Sequence, residues 1–243
     1  MKKAARAIFE TYLKAQILGT PLEHYEEVLY EAVVAHINIH LESVSNQHIP
    51  HGISRILGSP DLPDKFDWPF CQGEPLRFIA QFNLEEVAPY DTFEKLPPTG
   101  MLSFFHYELG ELHNDLDAWR VCLHPLEALV RRSSPHRLNQ NEKSFRTSFE
   151  TVYEFSYNEL IIQSGEEEFL RLARHFGGGK STHLLGIASD ISSCDRDGIL
   201  LEIDMEDLGY PIDRYFGTAV FGIDSSDLQE QRFDKVWTEV TRD

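Results

Sequence analysis

Two acidic residues near the C-terminus are the first candidates for chemistry. Glu202 and Asp204 lie two residues apart in an otherwise apolar run, Leu-Leu-Glu-Ile-Asp at 200–204. In a β-strand, residues two apart share a face, so these side chains would form a carboxylate pair. Paired carboxylates serve acid–base catalysis and metal binding. Glu202, Asp204 and a histidine therefore define one hypothesis, a hydrolase or a metal-dependent enzyme.

Four closely spaced histidines raise the question of a metal site. They are His36, His40, His48 and His51. If this segment is helical, His36 and His40 lie one turn apart and can share a metal ion. However, the run is His-Ile-Asn-Ile-His instead of the His-Glu-x-x-His of zinc peptidases, and no cysteine or glutamate stands at a suitable offset. We therefore expect no metal and no cofactor.

Two other motifs resemble ligand-binding loops but have the wrong spacing. Residues 177–181 read Gly-Gly-Gly-Lys-Ser, but a phosphate-binding loop needs a glycine at the position of Arg174. Residues 193–204 resemble a calcium loop whose first ligand would be Ser193 and whose last would be Asp204 in place of a bidentate glutamate. We interpret them as a helix stop and as a turn into a strand. No catalytic triad is recognisable, so no catalytic residue is assigned.

Charge limits the classes of partner. The 243 residues carry a formal net charge of −18, and 42% of them are hydrophobic. Nonspecific nucleic-acid binding uses clustered Lys and Arg, so no nucleic-acid partner is expected, whereas a basic protein or peptide would be attracted. The basic residues that do cluster are Arg131, Arg132, His136 and Arg137. Solvated arginines are the preferred interpretation of this patch, and an anion site is the alternative.

Cysteine usage and hydropathy predict the compartment. Cys71, Cys122 and Cys194 are odd in number and widely spaced, which favours reduced thiols over a disulfide framework. Charged residues interrupt the N-terminal apolar run, so it is not a secretory signal, and no run is long enough to span a bilayer. We expect a cytoplasmic protein without a membrane partner; the oligomeric state stays open.

Apolar periodicity predicts the helices. Positions three and four residues apart are apolar over residues 1–18, 21–45 and 166–176. The first two helices would form an N-terminal helical extension, residues 1–50, followed by a β-rich domain, residues 51–243.

Compact aromatic and alternating runs bounded by proline or glycine predict the strands. These runs cover 76–84, 101–106, 119–123, 145–157 and 199–203.

The stretch from Ser54 to Phe105 resembles a known family. It reads Ser-Arg-Ile-Leu-Gly-Ser-Pro-Asp-Leu-Pro at 54–63, followed by Trp68-Pro69, Phe-Ile-Ala-Gln at 78–81 and Gly-Met-Leu-Ser-Phe-Phe at 100–105. These motifs resemble the YwqG-like family, a bacterial domain of unknown function, and the resemblance extends over residues 54–237. It implies a β-rich α+β fold and no established reaction.

The same stretch has a weaker echo later in the chain. Gln81 and Glu202 lie 121 residues apart, each in an apolar strand, and Gly100 and Gly217 lie 117 apart before aromatic strands. Such near-equal offsets indicate an internal duplication. We therefore predict an α+β, β-rich fold of mostly antiparallel sheets from two related halves, with N-terminal helices packed outside. The halves span about 54–125 and 180–240.

These residues also suggest a binding site. A buried polar side chain needs partners, so Gln81 either bonds neighbouring backbone or anchors a ligand. We expect Gln81 and Glu202 near the floor of a groove where the halves meet, Trp68 as an aromatic wall or a core plug, and Asp204 nearby. The preferred function is a non-catalytic binding or immunity-type module for a peptide or basic protein.

Overall fold

The computed structural model describes residues 2–107, 117–133, 135, 143–156, 159–176, 182–186, 198–204, 206–208 and 217–240. Five α-helices occur in these residues: α1 (Lys2–Ile17), α2 (Glu26–Ala32), α3 (Leu84–Val87), α4 (Glu159–Phe176) and α5 (Ser225–Gln229). Short 3-10 turns cover Pro21–Tyr25, Asn46–His48 and Phe233–Lys235.

Strands make up most of the remaining regular structure. In chain order they are β1 (Val33–Val44), β2 (Arg55–Ile56), β3 (Asp61–Pro63), β4 (Phe70–Cys71), β5 (Glu74–Pro75), β6 (Arg77–Asn83), β7 (Met101–His106), β8 (Trp119–His124), β9 (Leu129–Arg131), β10 (Ser144–Phe155), β11 (His183–Leu184), β12 (Ile199–Asp204), β13 (Thr218–Gly222) and β14 (Trp237–Val240). The strands predicted from aromatic and alternating runs are confirmed as β6, β7, β8, β10 and β12.

One antiparallel sheet joins ten of the described strands in the order β14-β13-β12-β11-β1-β10-β2-β6-β7-β8. The long β1–β10 ribbon stands in the middle, with every residue of β1 paired. We call β2, β6, β7 and β8 the first arm, and β11 to β14 the second arm. The predicted β-rich, largely antiparallel fold is therefore confirmed.

The two arms curl toward each other, so the sheet is nearly barrel-like. The rings of Phe104 on β7 and Phe221 on β13 lie 5.3 Å apart. At the two edges, the indole Nε1 of Trp119 donates to the Val236 carbonyl at 2.7 Å. The main core fills the space between the arms, where β6, β7, β12 and β13 all contribute buried side chains.

The N-terminal helices pack on the end of the ribbon. Phe9, Leu13 and Ile17 repeat at four-residue steps along α1 and are buried with residues of α2 and α4. Tyr153 and Phe155, on the same face of β10 as the main core, receive this second cluster. The helices predicted over 1–18 and 166–176 are confirmed, the latter as part of a longer α4.

The helix predicted over residues 21–45 is wrong beyond Ala32. From Val33 onward the chain forms β1, the central strand of the sheet. Ile37 and Ile39 face the core while His36 and Asn38 lie on the opposite face, so the run alternates with period two. Apolar residues at 33, 37 and 41 also fit a four-residue step, which is why the helical interpretation was possible. The β-branched residues of this run and its twelve residue pairs with β10 favour a strand over a helix.

None of the described helices has both the length and the apolar character that crossing a membrane requires.

Candidate functional site

A cleft of about 380 Å³ opens at the rim of the second arm. One wall is the loop between α3 and β7, and the other is formed by the turn after β11, the start of β12, the end of β13 and α5. The lining residues are Phe93, Glu94, Lys95, Leu96, Pro97, Pro98, Leu185, Gly186, Gly198, Ile199, Ile223, Ser225, Leu228, Gln229 and Gln231.

The loop wall is held in place by buried polar contacts. The Asp91 carboxylate, 3% exposed, accepts a 2.7 Å hydrogen bond from the Leu96 N–H. The Thr151 hydroxyl of β10 donates to the Tyr90 carbonyl at 2.8 Å, and the Tyr90 ring packs near Phe149. The first arm thus sends an anchored loop across the ribbon to the second arm.

The backbone around the cleft contains uncommon conformations. Leu185, Glu94 and Gln231 have φ values of 62°, 54° and 56°, in the left-handed region that costs a non-glycine residue about 1–2 kcal/mol. A Cβ on Gly198 would lie 2.3 Å from the Ile223 carbonyl oxygen, so this position requires glycine. Conformations of this kind accumulate at functional sites, where surrounding structure holds them in place.

The chemistry of the lining favours binding over catalysis. Most of the side chains are aliphatic, aromatic or proline, and Glu94 and Lys95 are the ionisable ones among the described lining residues. Ser225 contributes a hydroxyl group to the lining. Among the described residues, no histidine, aspartate or second glutamate lines the cleft. A concave site with a mixed apolar and polar lining suits a ligand that offers an apolar side chain beside polar groups.

Gln81 lies outside the cleft and is fully bonded within the protein. Its Oε1 accepts from the Asp61 N–H at 2.7 Å, and its Nε2 donates to the Ile53 carbonyl at 2.8 Å and to Asp61 Oδ2 at 3.1 Å. With no exposed surface, Gln81 ties the chain before β2, at Ile53, and the start of β3, at Asp61, to the sheet. These contacts match the first of the two interpretations given above, in which Gln81 bonds neighbouring backbone.

Asp61 is the centre of a buried ionic network. Arg131 Nε donates to its Oδ1 at 2.6 Å, and Arg55 Nη2 donates to its Oδ2 at 3.3 Å. Burial by itself raises the pKa of Asp61, but hydrogen bonds from Arg131 and the Gly52 N–H, with the charge of Arg55, outweigh it and leave the pKa below its ordinary value. Burial lowers the pKa of Arg55 to about 10, against the attraction of Asp61, so Arg55 stays charged at neutral pH.

This network accounts for part of the basic patch predicted from the sequence. Arg131 also donates to the carbonyls of Asn46, Ile49 and Pro50, and Arg132 donates to the Asp64 carbonyl. Both arginines are therefore engaged by the protein itself. His136 and Arg137 lie outside the described residues.

Glu202 faces a histidine instead of an arginine. Across the β11–β12 ladder it is paired with His183, and His183 Nε2 lies 4.0 Å from Glu202 Oε2. The ring of His36 lies 4.8 Å from that of His183, and its Nδ1 is 3.1 Å from Glu154 Oε1. Glu202 is fully buried and both histidines are 5% exposed, so the sequence-predicted glutamate belongs to a buried His–Glu cluster.

Asp204 and Trp68 are occupied by local contacts. Asp204 Oδ1 accepts from the Glu206 N–H at 2.8 Å, which forms a turn at the end of β12. Trp68 donates its Nε1–H to the Leu76 carbonyl at 2.8 Å and packs edge-on against Phe105, in a third small cluster beneath the segment between β2 and β6.

The structure does not bring Gln81 and Glu202 together. Both point away from the main core, since Ala80, Phe82, Leu201 and Ile203 next to them face it. Five strand-to-strand steps separate β6 from β12, about 24 Å along the sheet at about 4.8 Å per step. One groove floor shared by Gln81 and Glu202 is therefore wrong, and neither residue lines the cleft described above.

The helical spacing assumed for the histidines is also wrong. On a strand, His36 and His40 are about 13 Å apart, at about 3.3 Å per residue. His36 bonds Glu154 and His40 bonds Glu150, while His51 lies 3.8 Å from Asp61. Within the part of the chain that the structure describes, no group of three or more His, Cys, Asp or Glu side chains is arranged to hold a metal ion.

Other sequence features lie partly outside the described residues. The glycine-rich run at 177–181 and the start of the calcium-like loop at 193–197 are not among them, nor is Cys194. Cys71 is buried and Cys122 half-buried, and neither forms a disulfide with a described residue.

Sequence reasoning missed the cleft, although a signal for one of its turns was present. Leu57-Gly58 and Leu185-Gly186 both follow a two-residue strand, and their φ values are 58° and 79° in the first arm and 62° and 98° in the second. Both Leu-Gly pairs thus form left-handed turns. No sequence pattern indicated that the 93–98 loop would reach the second of them.

Hydrogen bonds at the ends of β6 and β12 are also repeated. Asn83 N–H donates to Ser54 Oγ at 2.9 Å, and Asp204 N–H donates to Thr182 Oγ1 at 3.1 Å. The N–H groups of Ser54 and Thr182 in turn donate to the carboxylates of Glu86 and Asp207, respectively. The Asp204 N–H thus makes the same kind of contact at the end of β12 that the N–H of Asn83, the N-cap of α3, makes at the end of β6.

Comparison with known proteins places the chain in a family. Residues 54–241 match a domain of unknown function, DUF1963, and the chain belongs to that family. The match covers both arms and β10 but not β1, which pairs with β10 and β11 in the centre of the sheet. No curated protein matches the chain.

Proposed function

We propose that this member of the DUF1963 family is a non-catalytic binding module whose cleft receives an apolar side chain of a basic peptide or protein. The observation that carries the proposal is the cleft itself, with apolar and proline walls, left-handed backbone on both sides and no catalytic pair among its described lining residues. The net charge of −18 favours a cationic partner.

We also propose that the two arms are related halves and that the cleft lies where they meet. A Cβ on Gly58 would contact Ser144 and Asn46, and a Cβ on Gly186 would contact His36 and Glu154. Ser144 lies 108 residues after His36, and Glu154 lies 108 after Asn46. Such reciprocity is expected if a pseudo-twofold axis relates the halves through the β1–β10 ribbon.

Contacts between the arms support the same relation. Phe104 and Phe221, whose rings touch, are 117 residues apart, the same offset as Gly100 and Gly217. Side chains at equivalent positions meet each other only near a symmetry axis. The register of β6 with β7 shifts between Phe78 and Ala80, and that of β12 with β13 shifts at the equivalent place.

The YwqG-like resemblance over 54–237 nearly coincides with the DUF1963 match over 54–241. An immunity-type role, in which a cationic toxin is the basic partner, is one form of the proposal and rests on charge alone.

The enzyme alternative has one observation in its favour. Glu202 lies 4.0 Å from His183, which is close enough for an acid–base pair to form with small movement. Against it, Glu202 is fully buried, it does not line the cleft, and Asp204 is engaged in a turn. Peptide and ester hydrolysis by wild type and Glu202→Gln would reveal such an activity.

The binding proposal can be tested with defined peptides and two neighbouring variants. Ser225 and Ser226 are both exposed and adjacent on α5, but only Ser225 lines the cleft. Random 12-residue peptides displayed on phage are selected on the wild-type protein, and enriched sequences are synthesised. We expect apolar residues flanked by Lys or Arg, with Kd weakened at least about tenfold by Ser225→Trp, or about 1.4 kcal/mol.

Ser226→Trp is the matched control and should leave Kd and Tm unchanged. Selected peptides that bind the two variants equally would show that the cleft is not the binding site. Enrichment of acidic sequences would contradict the predicted partner charge.

A further inference from the structure

We propose that Cys122 and His124 of β8, together with Met101 of β7, form a binding site for one monovalent copper ion. The site lies on the outer face of the first arm, away from the cleft, so it does not depend on the binding function proposed above. The sequence expectation of no metal concerned the four histidines between residues 36 and 51, which take no part in this site.

The register of β7 and β8 places the three donors on one face of the sheet. Val121 and Leu123 pack against the main core. Cys122 and His124 alternate with them along β8, so they point to the other side, about 7 Å apart at about 3.3 Å per residue. Met101 is directly opposite His124 in the antiparallel ladder, which brings their Cβ atoms to about 4.5–5.5 Å. A thiol, a thioether and an imidazole thus converge within reach of one ion.

Aromatic rings cover this face without closing it off. The His124 ring meets the Phe66 ring edge to face at 5.1 Å, and the Phe66 ring stacks at 5.7 Å on Phe105, which lies on the same face of β7 as Met101. Met101 is fully buried, whereas Cys122 and His124 are half-buried. An ion can therefore reach the thiol and the imidazole from solvent and meet the thioether from inside.

Two buried polar atoms beside the thiol have no hydrogen-bond partner among the described residues. They are Nε2 of His124 and Oγ of Ser103, a fully buried residue directly opposite Cys122. A buried polar atom left unpaired costs about 1–3 kcal/mol. A bound ion would use the lone pair of the imidazole, and the Ser103 hydroxyl would then donate a hydrogen bond to the thiolate sulfur.

The donor atoms select the kind of ion. Thiolate and thioether sulfur are soft ligands that prefer monovalent copper, and imidazole also binds copper. When the thiol proton leaves to solvent, one thiolate neutralises one positive charge, so no net charge stays at this half-buried place. A divalent ion would keep a positive charge, and no described carboxylate completes a group of three with Cys122 and His124. Arg120, on the same face, is paired with Asp117 at 3.7 Å.

Copper at this place would stabilise one edge of the sheet. β8 is the last strand in the sheet order of the described strands, and its ladder partner is β7. An ion that joins Met101 of β7 to the two donors of β8 cross-links these strands. A ligand that binds the folded state alone raises its stability, so we expect Tm to rise when copper is bound.

The test is Cu(I) binding by the full chain, with ascorbate as reductant and bicinchoninate as a competing chelator. We expect one Cu(I) per chain and an X-ray absorption spectrum with one nitrogen and two sulfur ligands. Affinity should fall at least about tenfold in Cys122→Ser and in His124→Asn, which corresponds to about 1.4 kcal/mol. Met101→Leu should also weaken binding and remove one sulfur ligand. This substitution nearly conserves volume, so it remains informative if the other variants do not fold.

Cys194→Ser and Cys71→Ala are the matched controls, because each removes a thiol that is not part of the proposed site. Both should bind Cu(I) as the wild type does. Unchanged affinity in Cys122→Ser or in Met101→Leu, a loss of affinity in Cys194→Ser, or no Cu(I) binding against the chelator would overturn the proposal. Peptide selection on the cleft is carried out without copper, so the two proposals fail separately.

Discussion

The first and second arms of the sheet share several local backbone features and differ in their buried chemistry. In both, a two-residue strand ends in a left-handed Leu-Gly turn, and a hydroxyl accepts from the backbone at the end of the next strand. On β2 and β6 of the first arm, Arg55 and Gln81 are buried beside Asp61 of β3, and all three are bonded to one another or to backbone. On β11 and β12 of the second arm, His183 and Glu202 are buried and paired across the ladder.

The arms also differ in what lies near that polar pair. Gln81 and Asp61 hold the segment between β2 and β3 tightly over the first arm. In the second arm, the equivalent glycine turn forms part of an open cleft. Under the proposed function, the first arm serves stability and the second arm serves binding. Five predictions test this division.

The largest effect is expected for Asp61→Asn. The substitution leaves Arg55, which is completely buried, without its anion, and breaking a buried ion pair costs about 3–5 kcal/mol. The free energy of unfolding from urea titration measures the loss. The control is Glu42→Gln, which removes the exposed Arg146–Glu42 pair and should cost no more than about 1 kcal/mol. Equal losses would mean that Asp61 has no special role in the first arm.

Lowering the pH should remove the contribution of the Asp61 carboxylate to the free energy of unfolding. Because the pKa of Asp61 is lowered in the folded state, its stabilisation is complete above the unfolded value of about 3.9 and is lost as pH falls through the folded value. The difference in unfolding free energy between wild type and Asp61→Asn should therefore be full at pH 7 and shrink below about pH 4. A difference that grows in acid would contradict the assigned direction.

Gly58→Ala and Gly186→Ala should destabilise the protein by similar amounts. Both glycines have positive φ, which costs alanine about 1–2 kcal/mol, and both added Cβ atoms would lie 2.6 Å from a neighbouring atom. Gly73→Ala is the control, since its φ is +86° but nothing lies within 4 Å. Thermal unfolding should show a smaller loss for Gly73 than for the other two. A Gly186→Ala variant as stable as wild type would contradict the expected similarity of the two turns.

Ser54→Ala and Thr182→Val should each cost about 1–2 kcal/mol. Each removes the hydroxyl that accepts from a backbone N–H, of Asn83 or of Asp204, and leaves that donor without its partner. Thr99→Val, at an exposed hydroxyl, is the control and should stay within about 0.5 kcal/mol. Urea titrations in parallel measure all three, and a neutral Thr182→Val would remove one element of the likeness between the arms.

The smallest effect is expected for Asp204→Asn. Asparagine keeps the oxygen that accepts from the Glu206 N–H, and Asn83 already fills the equivalent place in the first arm, so stability should change by less than about 0.5 kcal/mol. Affinity for selected peptides should also be unchanged. Weaker binding at unchanged stability would restore Asp204 as a binding residue.

Much of the fold was determined by the sequence itself. Strands β6, β7, β8, β10 and β12 were predictable because aromatic and alternating residues lie between proline and glycine signals, and α1 because its apolar residues recur every four positions. The relation between the arms, indicated by the offsets of Gln81 and Glu202 and of Gly100 and Gly217, stays a prediction. These are local patterns, since periodicity and turn residues act within about ten positions of the chain.

Tertiary structure decided the rest. Residues 33–44 satisfy both a helical and a strand period, and only pairing with β10 and β11 resolves the ambiguity in favour of β1. The cleft arises because a loop of the first arm, anchored by Asp91 and Thr151, reaches a turn almost ninety residues later. Gln81 and Glu202 lie far apart because four strands stand between β6 and β12 in the sheet. Long-range pairing and loop packing depend on residues far apart in the chain, so no local pattern encodes them.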